Sequence, residues 1–250
     1  MASEQIITLI TGANSGIGYE VTKNLTLYSE KYHVYLGSRS LQKGEDVAAE
    51  IRGFGIKGTI TPIQIDVTST ESIAAAAAII SDAHGRIDVL VNNAGIVSRL
   101  PPGVESLRET METNVIGSVA VTEAFKCLLL KSSDPRLIFV TSSLGSITHA
   151  SNPESTYYKP RVGILFSEYR ISKAALNMAM AEYGKILEGK VKIWAADPGI
   201  NKTNLLGPEN KHKSKAPGAE HGGEVIAAVV RGDRDVDVGR FVGVYGIQDW

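Results

Sequence analysis

The sequence contains a single cysteine, Cys127, so an internal disulfide is impossible, and this composition is typical of a reducing compartment. Cys127 falls in an apolar helical segment, which predicts a core position. Long apolar runs are also missing. The longest, Ile73–Ile80, is mostly alanine and far shorter than the roughly 20 residues of a membrane-spanning helix. The first residues, Met1–Gln5, lack the basic region of a signal peptide. These absences predict a cytoplasmic protein that does not cross a membrane.

An excess of positive charge is missing as well. Lysine and arginine number 26 against 27 acidic residues, giving a net charge of -1. A chain this balanced has no electrostatic attraction to nucleic acid or to anionic membranes, so we predict neither as a partner. The five histidines lack the spacing of metal ligands, and no metal site is predicted. They are His33, His84, His149, His212 and His221.

Strand-like and helix-like segments alternate along the whole chain. The predicted strands are Gln5–Ile10, His33–Gly37, Thr59–Ile65, Ile87–Val91, Arg136–Thr141, Val191–Ala196 and Arg240–Tyr245. Helical spacing covers 15–28, 41–52, 69–83, two helices within 104–130, 167–187 and 222–230. This alternation, with right-handed crossovers, predicts an α/β fold with three layers: a doubly wound parallel sheet of about seven strands between two layers of helices. No linker or repeat divides it, so we predict one domain over residues 1–250.

A glycine-rich turn, Thr11–Gly18, separates the first predicted strand from the first helix. Glycines allow a tight turn and let the backbone approach a pyrophosphate, while the N-terminus of the following helix favours the anion. The spacing here is G-x-x-x-G-x-G rather than the usual dinucleotide spacing G-x-G-x-x-G. A glycine turn without a ligand is the alternative, but its place between strand and helix favours dinucleotide binding.

Four motifs in register carry a resemblance to a known family. The turn reads Thr-Gly-x-x-x-Gly-Ile-Gly, and Asn92–Gly95 reads Asn-Asn-Ala-Gly. Tyr169 and Lys173 form Tyr-x-x-x-Lys, and Pro-Gly at 198–199 is followed by Thr203. Together they resemble the short-chain dehydrogenase/reductase family, in a carbonyl-reductase-like branch, over nearly the whole chain. The resemblance implies a Rossmann fold and an oxidoreductase that uses a nicotinamide cofactor.

The resemblance also implies where the cofactor is bound. The expected contacts are Gly12, Asn14, Ser15, Gly16, Ile17, Gly18, Arg39, Asp66, Val67, Asn93, Ala94, Gly95, Tyr169, Lys173, Pro198, Gly199, Ile200 and Thr203. In the family, an aspartate at the position of Asp66 accepts a hydrogen bond from the adenine amino group. An N-cap-like turn aspartate is the alternative.

The end of the second strand predicts NADP(H) rather than NAD(H). NAD enzymes commonly carry an acidic residue here for the ribose hydroxyls. This chain has Ser38 at that position, followed by Arg39, whose guanidinium suits a 2′-phosphate. Lys43 either adds a second positive charge or belongs to a solvated helix face. Ser15 departs from the pattern, since many NADP enzymes of the family have a basic residue there.

Tyr169 and Lys173 lie four residues apart, so they share one face of a helix. An ammonium near a phenol is expected to lower the phenol's pKa, which makes it a better proton shuttle. In the family the lysine also holds the ribose hydroxyls of the cofactor. Two nearby tyrosines, Tyr157 and Tyr158, have no lysine four positions on and are rejected as the acid.

The resemblance adds two more catalytic residues. A serine after the fifth strand polarises the substrate oxygen; counting back from Gly145 selects Ser142, and Ser143 stays open. The family's asparagine corresponds to Asn114, which helps to hold a water that leads protons to the lysine. A buried asparagine satisfied by backbone is the alternative.

Two segments depart from a minimal family member. Residues 146–166 form an insertion after a cofactor half of about 1–145, because Ser142 and Tyr169 enclose a long segment. The insertion's aromatic residues suggest a pocket for a bulky ketone. The family often forms dimers or tetramers, whereas an insertion that covers the interface gives a monomer. Residues 201–218 form the expected substrate lid.

The sequence therefore predicts NADPH-dependent reduction of a ketone or aldehyde, with a small-molecule carbonyl compound as substrate. Tyr169 is the general acid, Ser142 polarises the carbonyl, Lys173 assists the acid and Asn114 belongs to the proton relay. An NAD(P)-dependent alcohol dehydrogenase working in the oxidative direction is the alternative within enzymes. A non-catalytic NADP-binding sensor is the alternative outside them, although such proteins generally lose the Tyr/Lys pair.

Overall fold

The computed structural model describes residues 5–158, 167–205, 207 and 216–250. Its strands are β1 Ile6–Ile10, β2 Tyr32–Ser38, β3 Thr59–Gln64, β4 Val89–Asn92, β5 Arg136–Val140, β6 Lys192–Asp197, β7 Phe241–Gly243 and β8 Gly246–Ile247. Its α-helices are α1 Gly16–Tyr28, α2 Leu41–Arg52, α3 Thr70–His84, α4 Val104–Met111, α5 Gly117–Leu129, α6 Ile147–Ser151, α7 Ser167–Ile186 and α8 Ala219–Arg231. A π-helical turn, Glu112–Ile116, joins α4 to α5. Short 3-10 turns occupy Ser143–Gly145 and Asp235–Asp237.

The strands form one sheet in the order β3-β2-β1-β4-β5-β6-β7-β8. Every pairing is parallel except the last, where β8 runs antiparallel to β7. The predicted α/β doubly wound fold is confirmed.

The prediction of a last strand at Arg240–Tyr245 is wrong in its extent, and the sheet has eight strands. The chain turns back after Gly243, so that Gly243 pairs with Gly246 across a two-residue loop. Gly246 has a φ of +100°, which glycine adopts without strain. Apolar residues continue on both sides of this turn, so the sequence pattern predicts one longer strand instead of two short ones.

Two apolar layers cover the two faces of the sheet. On one face, Phe139 and other strand residues pack against α3, α5 and α7; on the other, Trp194 and its neighbours pack against α1, α2 and α8. Both of these aromatic side chains are fully buried. Burial on both faces explains why the strands read as continuous apolar runs.

The core position predicted for Cys127 is wrong, because this cysteine is exposed. The stripe of α5 that faces the sheet contains Val121, Phe125 and Leu128. Cys127 lies two positions from Phe125, about 200° around the helix at 3.6 residues per turn, and so points outward.

Strand order decides where the functional residues meet. Because β1, β4, β5 and β6 are parallel neighbours, the segments that follow them lie along one edge of the sheet. The crossover directions reverse between β1 and β4, and ligands of such sheets bind at that point.

Within the described ranges, no helix is both long and apolar enough to cross a bilayer.

Candidate active site

The glycine-rich turn lies between β1 and α1 and has two left-handed residues. Gly12 has a φ of +63° and Gly16 a φ of +58°. A Cβ on Gly12 would lie 3.0 Å from the Cα of Ala94, and one on Gly16 would lie 3.4 Å from Thr203. A side chain would therefore be strained at both positions and also crowded at Gly12, so glycine keeps the turn open to a ligand.

Asn93 fixes the turn from the neighbouring strand end. Its Nδ2 donates to the carbonyl oxygens of Thr11, at 2.8 Å, and Gly12, at 3.2 Å. The hydroxyl of Thr11 in return accepts from the backbone amides of Asn93 and Ala94, both at 3.0 Å. A Cβ on Gly18 would lie only 2.6 Å from Asn93 Nδ2, so this glycine is required for packing.

A cleft of about 670 Å³ runs from this turn across the edge of the sheet. Its volume is in the range of small-molecule and cofactor sites. It brings together most of the predicted cofactor contacts: Gly12, Asn14, Ser15, Gly16, Ile17, Arg39, Asp66, Val67, Asn93, Ala94, Gly95, Tyr169, Lys173, Pro198 and Thr203. Three predicted contacts are not in its lining, namely Gly18, Gly199 and Ile200. The open glycine turn and the volume of the cleft fit a dinucleotide.

Arg39 lines the cleft at the end of β2 and is exposed. Its guanidinium makes no ion pair with any residue that the structure describes. Ser38 is buried and donates its hydroxyl to the carbonyl oxygen of Ser40 at 2.8 Å, so it turns away from the cleft. Lys43 is exposed on α2 and is not part of the described lining. Arg39 is therefore the cation that this edge of the cleft presents to a ligand.

Asp66 lines the same part of the cleft and also stabilises its own turn. Its Oδ1 accepts from the backbone amide of Thr68 at 3.0 Å and from the Thr68 hydroxyl at 2.7 Å. Asp66 is thus a turn aspartate, as in the alternative given for this residue, whereas the side chain that caps α3 is that of Ser69. The adenine contact stays a prediction.

Helix α7 carries Tyr169 and Lys173 at the other end of the cleft. Lys173 is only 3% exposed, and its Nζ donates to the carbonyl oxygen of Val140 at 2.9 Å. The ammonium lies 5.5 Å from the centroid of the Tyr169 ring. Burial lowers the pKa of Lys173 to about 8, against the opposing effect of the Asp197 charge. Lys173 therefore keeps its charge at neutral pH and loses it in mildly alkaline solution.

The pKa of Tyr169 is raised, not lowered as predicted. Burial of the phenol is the main cause, and the negative charge of Asp197 acts in the same direction. A hydrogen bond with Ser142 lowers this pKa without reversing the effect. The residue as a whole is half-buried, but its phenol group lies among protein atoms. Tyr169 is thus a protonated donor at neutral pH.

The two adjacent serines have different surroundings. Ser142 hydrogen-bonds to Tyr169, and its Oγ accepts from the backbone amide of Leu144 at 3.2 Å. Ser143 is buried and donates its hydroxyl to Asp197 Oδ2 at 2.5 Å. Ser142 therefore faces the phenol, and Ser143 faces away into the protein. This geometry supports Ser142 as the residue that contacts a substrate, a role that stays a prediction.

Asn114 lies in the π-helical turn between α4 and α5, where sequence spacing predicted only two helices. It is fully buried, and its Oδ1 accepts from the Ile96 amide at 2.8 Å. Its Nδ2 donates to the Ile96 carbonyl at 3.0 Å and to Ser172 Oγ at 2.9 Å. These contacts fix the loop after β4 against α7, close to Tyr169. Such π-turns are frequent at functional sites; the water relay stays a prediction.

Asp197 is a residue of the site that sequence reasoning missed. It ends β6, is only 6% exposed, and its charge acts on both Tyr169 and Lys173. An acidic residue that directly follows the apolar run Ile193–Ala196 was the available signal. A carboxylate is rarely buried without a structural or chemical partner.

The predicted insertion and lid are described in part. Within the insertion, α6 is followed by Tyr157, whose hydroxyl hydrogen-bonds to Ser143. No described residue of 146–158 lines the cleft, so the aromatic wall suggested for a bulky ketone is not found in this part. Residues 159–166 lie outside the described residues, as do 206 and 208–215 of the lid. The lid residues that line the cleft are Thr203, Asn204 and Leu205.

Across the described ranges, no cluster of three or more histidine, cysteine, aspartate or glutamate side chains could hold a metal ion.

Gly145 allows helix α7 to approach the end of β5 closely. A Cβ at this position would lie 2.6 Å from the carbonyl carbon of Lys173 and 2.7 Å from the amide nitrogen of Ala174. Because both atoms are backbone, we expect Gly145→Ala to lower the free energy of unfolding by about 1–3 kcal/mol. Urea denaturation measures this loss.

Gly184, in the same helix α7, provides the matched control for Gly145→Ala. A Cβ there meets nothing within 4 Å. Gly184→Ala is therefore expected to raise the free energy of unfolding by about 0.5–1 kcal/mol. Equal destabilisation by the two alanines would contradict the close approach of α7 at Gly145.

Comparisons with known proteins identify relatives of this chain. The family model described as short chain dehydrogenase matches residues 6–214. A curated relative from Talaromyces stipitatus, the short-chain dehydrogenase/reductase tropE, is 38% identical over 258 residues and covers 96% of each chain. The short-chain dehydrogenase/reductase eupG of a Phoma species is 37% identical, covering 94% of this chain and 93% of the relative.

A solved structure has the same fold. The NADPH-bound carbonyl reductase from chicken fatty liver superposes with a TM-score of 0.78 and covers 99% of this chain and 100% of its own. The two sequences are 23% identical, so this similarity concerns the fold.

Proposed function

Because the chain belongs to the short chain dehydrogenase family, whose members are oxidoreductases that use a nicotinamide cofactor, we propose that it is an NADPH-dependent reductase of a ketone or aldehyde. The observation that carries the proposal is the cleft itself. The protonated phenol of Tyr169 lines one end of the cleft, where it hydrogen-bonds to Ser142 behind the lining, and the cation Arg39 lines the other end.

The chain's own residues supply the proton and the orientation. When bound, the cofactor supplies the hydride. Ser142 donates a hydrogen bond to the carbonyl oxygen and so stabilises the charge that develops there. Tyr169 then gives its proton to the same oxygen. Lys173, as an ammonium next to the phenol, stabilises the phenolate that remains, and the lining of the cleft supports its expected contact with the ribose.

The phenol of Tyr169 is protonated at neutral pH, and this form suits the reductive direction. Reduction needs a phenol that is protonated at the start, which burial and the Asp197 charge maintain. Oxidation of an alcohol needs the phenolate as a base, and this state is disfavoured at neutral pH. A cofactor sensor would not need a hydrogen-bonded acid at the end of the cleft.

Preference for NADPH rests on Arg39 and on the lack of a carboxylate at the end of β2. The NADPH bound by the carbonyl reductase from chicken fatty liver is consistent with this preference. We further propose a small-molecule carbonyl substrate, a cytoplasmic location and one domain over the whole chain. For the assembly we propose a dimer or tetramer, or a monomer if the insertion 146–166 covers the interface.

The proposal is tested by titrating the purified protein with NADPH and NADH, then following loss of the reduced-nicotinamide absorbance with a panel of ketones and aldehydes. We expect tighter binding of NADPH and turnover with at least one carbonyl compound. Turnover only with alcohols and oxidised cofactor would favour the dehydrogenase alternative. Tight NADPH binding without turnover on either panel would favour the sensor.

A further inference from the structure

The carboxylate of Asp197 is the most highly connected buried acidic group at this edge of the sheet among the described residues. Its Oδ2 accepts from the backbone amide of Ser143 at 2.8 Å and from the Ser143 hydroxyl at 2.5 Å. Its Oδ1 accepts from the backbone amide of Gly199 at 2.8 Å. Three donors thus compensate the loss of hydration that burial of a charge entails.

These bonds join the turn that directly follows Ser142 to the loop that follows β6. The 3-10 turn Ser143–Gly145 follows β5 directly after Ser142, and Gly199 belongs to the loop after β6. Gly199 has a φ of +74°, and its neighbour Pro198 lines the cleft. The side chain of Asp197 therefore fixes residues 142–145, the serine turn, relative to residues 198–199, the cofactor loop.

Two further chain segments meet the same cluster. Tyr157, from the insertion, hydrogen-bonds to Ser143. Gln248, which follows β8, places its Oε1 3.3 Å from Ser143 Oγ. Asp197 and Ser143 are thus both buried, and contacts from β6, from the insertion and from the segment after β8 meet at Ser143.

The charge of Asp197 also acts across the serine turn. Among the described residues, its negative charge acts on Tyr169 and Lys173 of α7 and on Tyr157 of the insertion. Tyr157 also has a charge interaction with Tyr245. The carboxylate raises the pKa of Tyr169, Lys173 and Tyr157. It therefore favours the protonated form of the acid and the charged form of the lysine together.

We propose that Asp197 is a positioning residue of this site, whose carboxylate fixes the Ser142 turn against Tyr169 and the Pro198–Gly199 loop against the cofactor cleft. The kinetic part of this inference rests on the proposed reductase function. The effect of the Asp197 carboxylate on the cofactor loop and on the charge of Lys173 is measured through cofactor binding and does not require turnover.

The test is Asp197→Asn, which keeps the shape of the side chain but removes its charge and replaces an acceptor oxygen with a donor. We expect kcat to fall by about tenfold to a hundredfold, because the serine turn loses its position, with a smaller change in KM for the ketone. Asp233→Asn removes a carboxylate from an exposed position and is expected to behave as wild type.

A second readout does not depend on catalysis. The dissociation constant of NADPH, followed by fluorescence against pH, is expected to rise above about pH 8 as Lys173 loses its proton. The pH at which the dissociation constant begins to rise is the break in this profile. Without the Asp197 charge the ammonium of Lys173 is less stable, so the break should move to lower pH in Asp197→Asn. A folded Asp197→Asn protein with wild-type kcat and an unmoved break would overturn the inference.

The design separates the two proposals. If the wild-type protein reduces no carbonyl compound, the proposed function fails, and the position of the NADPH break alone decides the role of Asp197. If Asp197→Asn does not fold, as judged by circular dichroism, Ser143→Ala removes one of the three bonds and keeps the charge. A loss of kcat of a few-fold in Ser143→Ala supports the positioning role, and wild-type kcat contradicts it.

Discussion

Replacement of the hydroxyl in Tyr169→Phe is expected to lower kcat by roughly a hundredfold to ten-thousandfold, the usual contribution of a general acid. The phenol is the acidic group that the described cleft presents beside Ser142, and phenylalanine keeps the ring next to Lys173. Affinity for NADPH should therefore change little. Steady-state kinetics with the best ketone of the panel, together with a fluorescence titration of NADPH, measure both quantities.

Tyr158→Phe is the matched control for this experiment. It removes a phenol hydroxyl from a tyrosine that does not line the described cleft, and wild-type kinetics are expected. Retention of more than about a tenth of the wild-type kcat in Tyr169→Phe would show that another group delivers the proton. Loss of NADPH binding together with kcat would point instead to damage in the cleft.

Arg39→Ala is expected to weaken NADPH binding by about tenfold to a hundredfold and to leave NADH binding nearly unchanged. The reason is that hydrogen bonds to charged groups contribute about 1.5–3 kcal/mol. The guanidinium is exposed at the cleft and has no ion-pair partner in the described part of the chain, so its removal leaves no carboxylate uncompensated. Parallel titrations with the two reduced cofactors give the ratio of dissociation constants.

Lys43→Ala removes a positive charge from α2, outside the described lining of the cleft. If Lys43 belongs to a solvated helix face, this variant keeps the wild-type preference. An equal loss of NADPH affinity in Lys43→Ala and Arg39→Ala would mean that general positive charge, rather than a specific contact of Arg39, selects the cofactor. Unchanged NADPH binding in Arg39→Ala would contradict the assignment of Arg39.

Local sequence patterns predicted the fold and the location of the cleft well. The glycine-rich turn and the paired asparagines are short motifs whose chemistry depends on neighbours in sequence, and the structure brings them to one edge of the sheet. The strands alternate with helices as expected, since burial on both faces leaves a clear apolar signal. The family match over residues 6–214 agrees with this interpretation.

Features that depend on tertiary contacts were not accessible in this way. The different surroundings of Ser142 and Ser143 arise from Asp197, which lies 54 positions from Ser143 in sequence. The exposure of Cys127 depends on which side of α5 meets the sheet. The pKa of Tyr169 depends on how far burial outweighs nearby charges, which spacing along a helix does not reveal.

The bonds from Asn93 to the glycine-rich turn have a consequence for the order of folding. They connect residues separated by 82 positions, so the turn acquires its final support only after β4 has paired beside β1. Contacts of such long range are slow to form. A nascent chain that contains the whole glycine motif but not yet β4 lacks the completed anion site. Cofactor affinity thus reports on assembly of the central sheet, and a cell rich in the nucleotide selectively stabilises molecules that have finished folding.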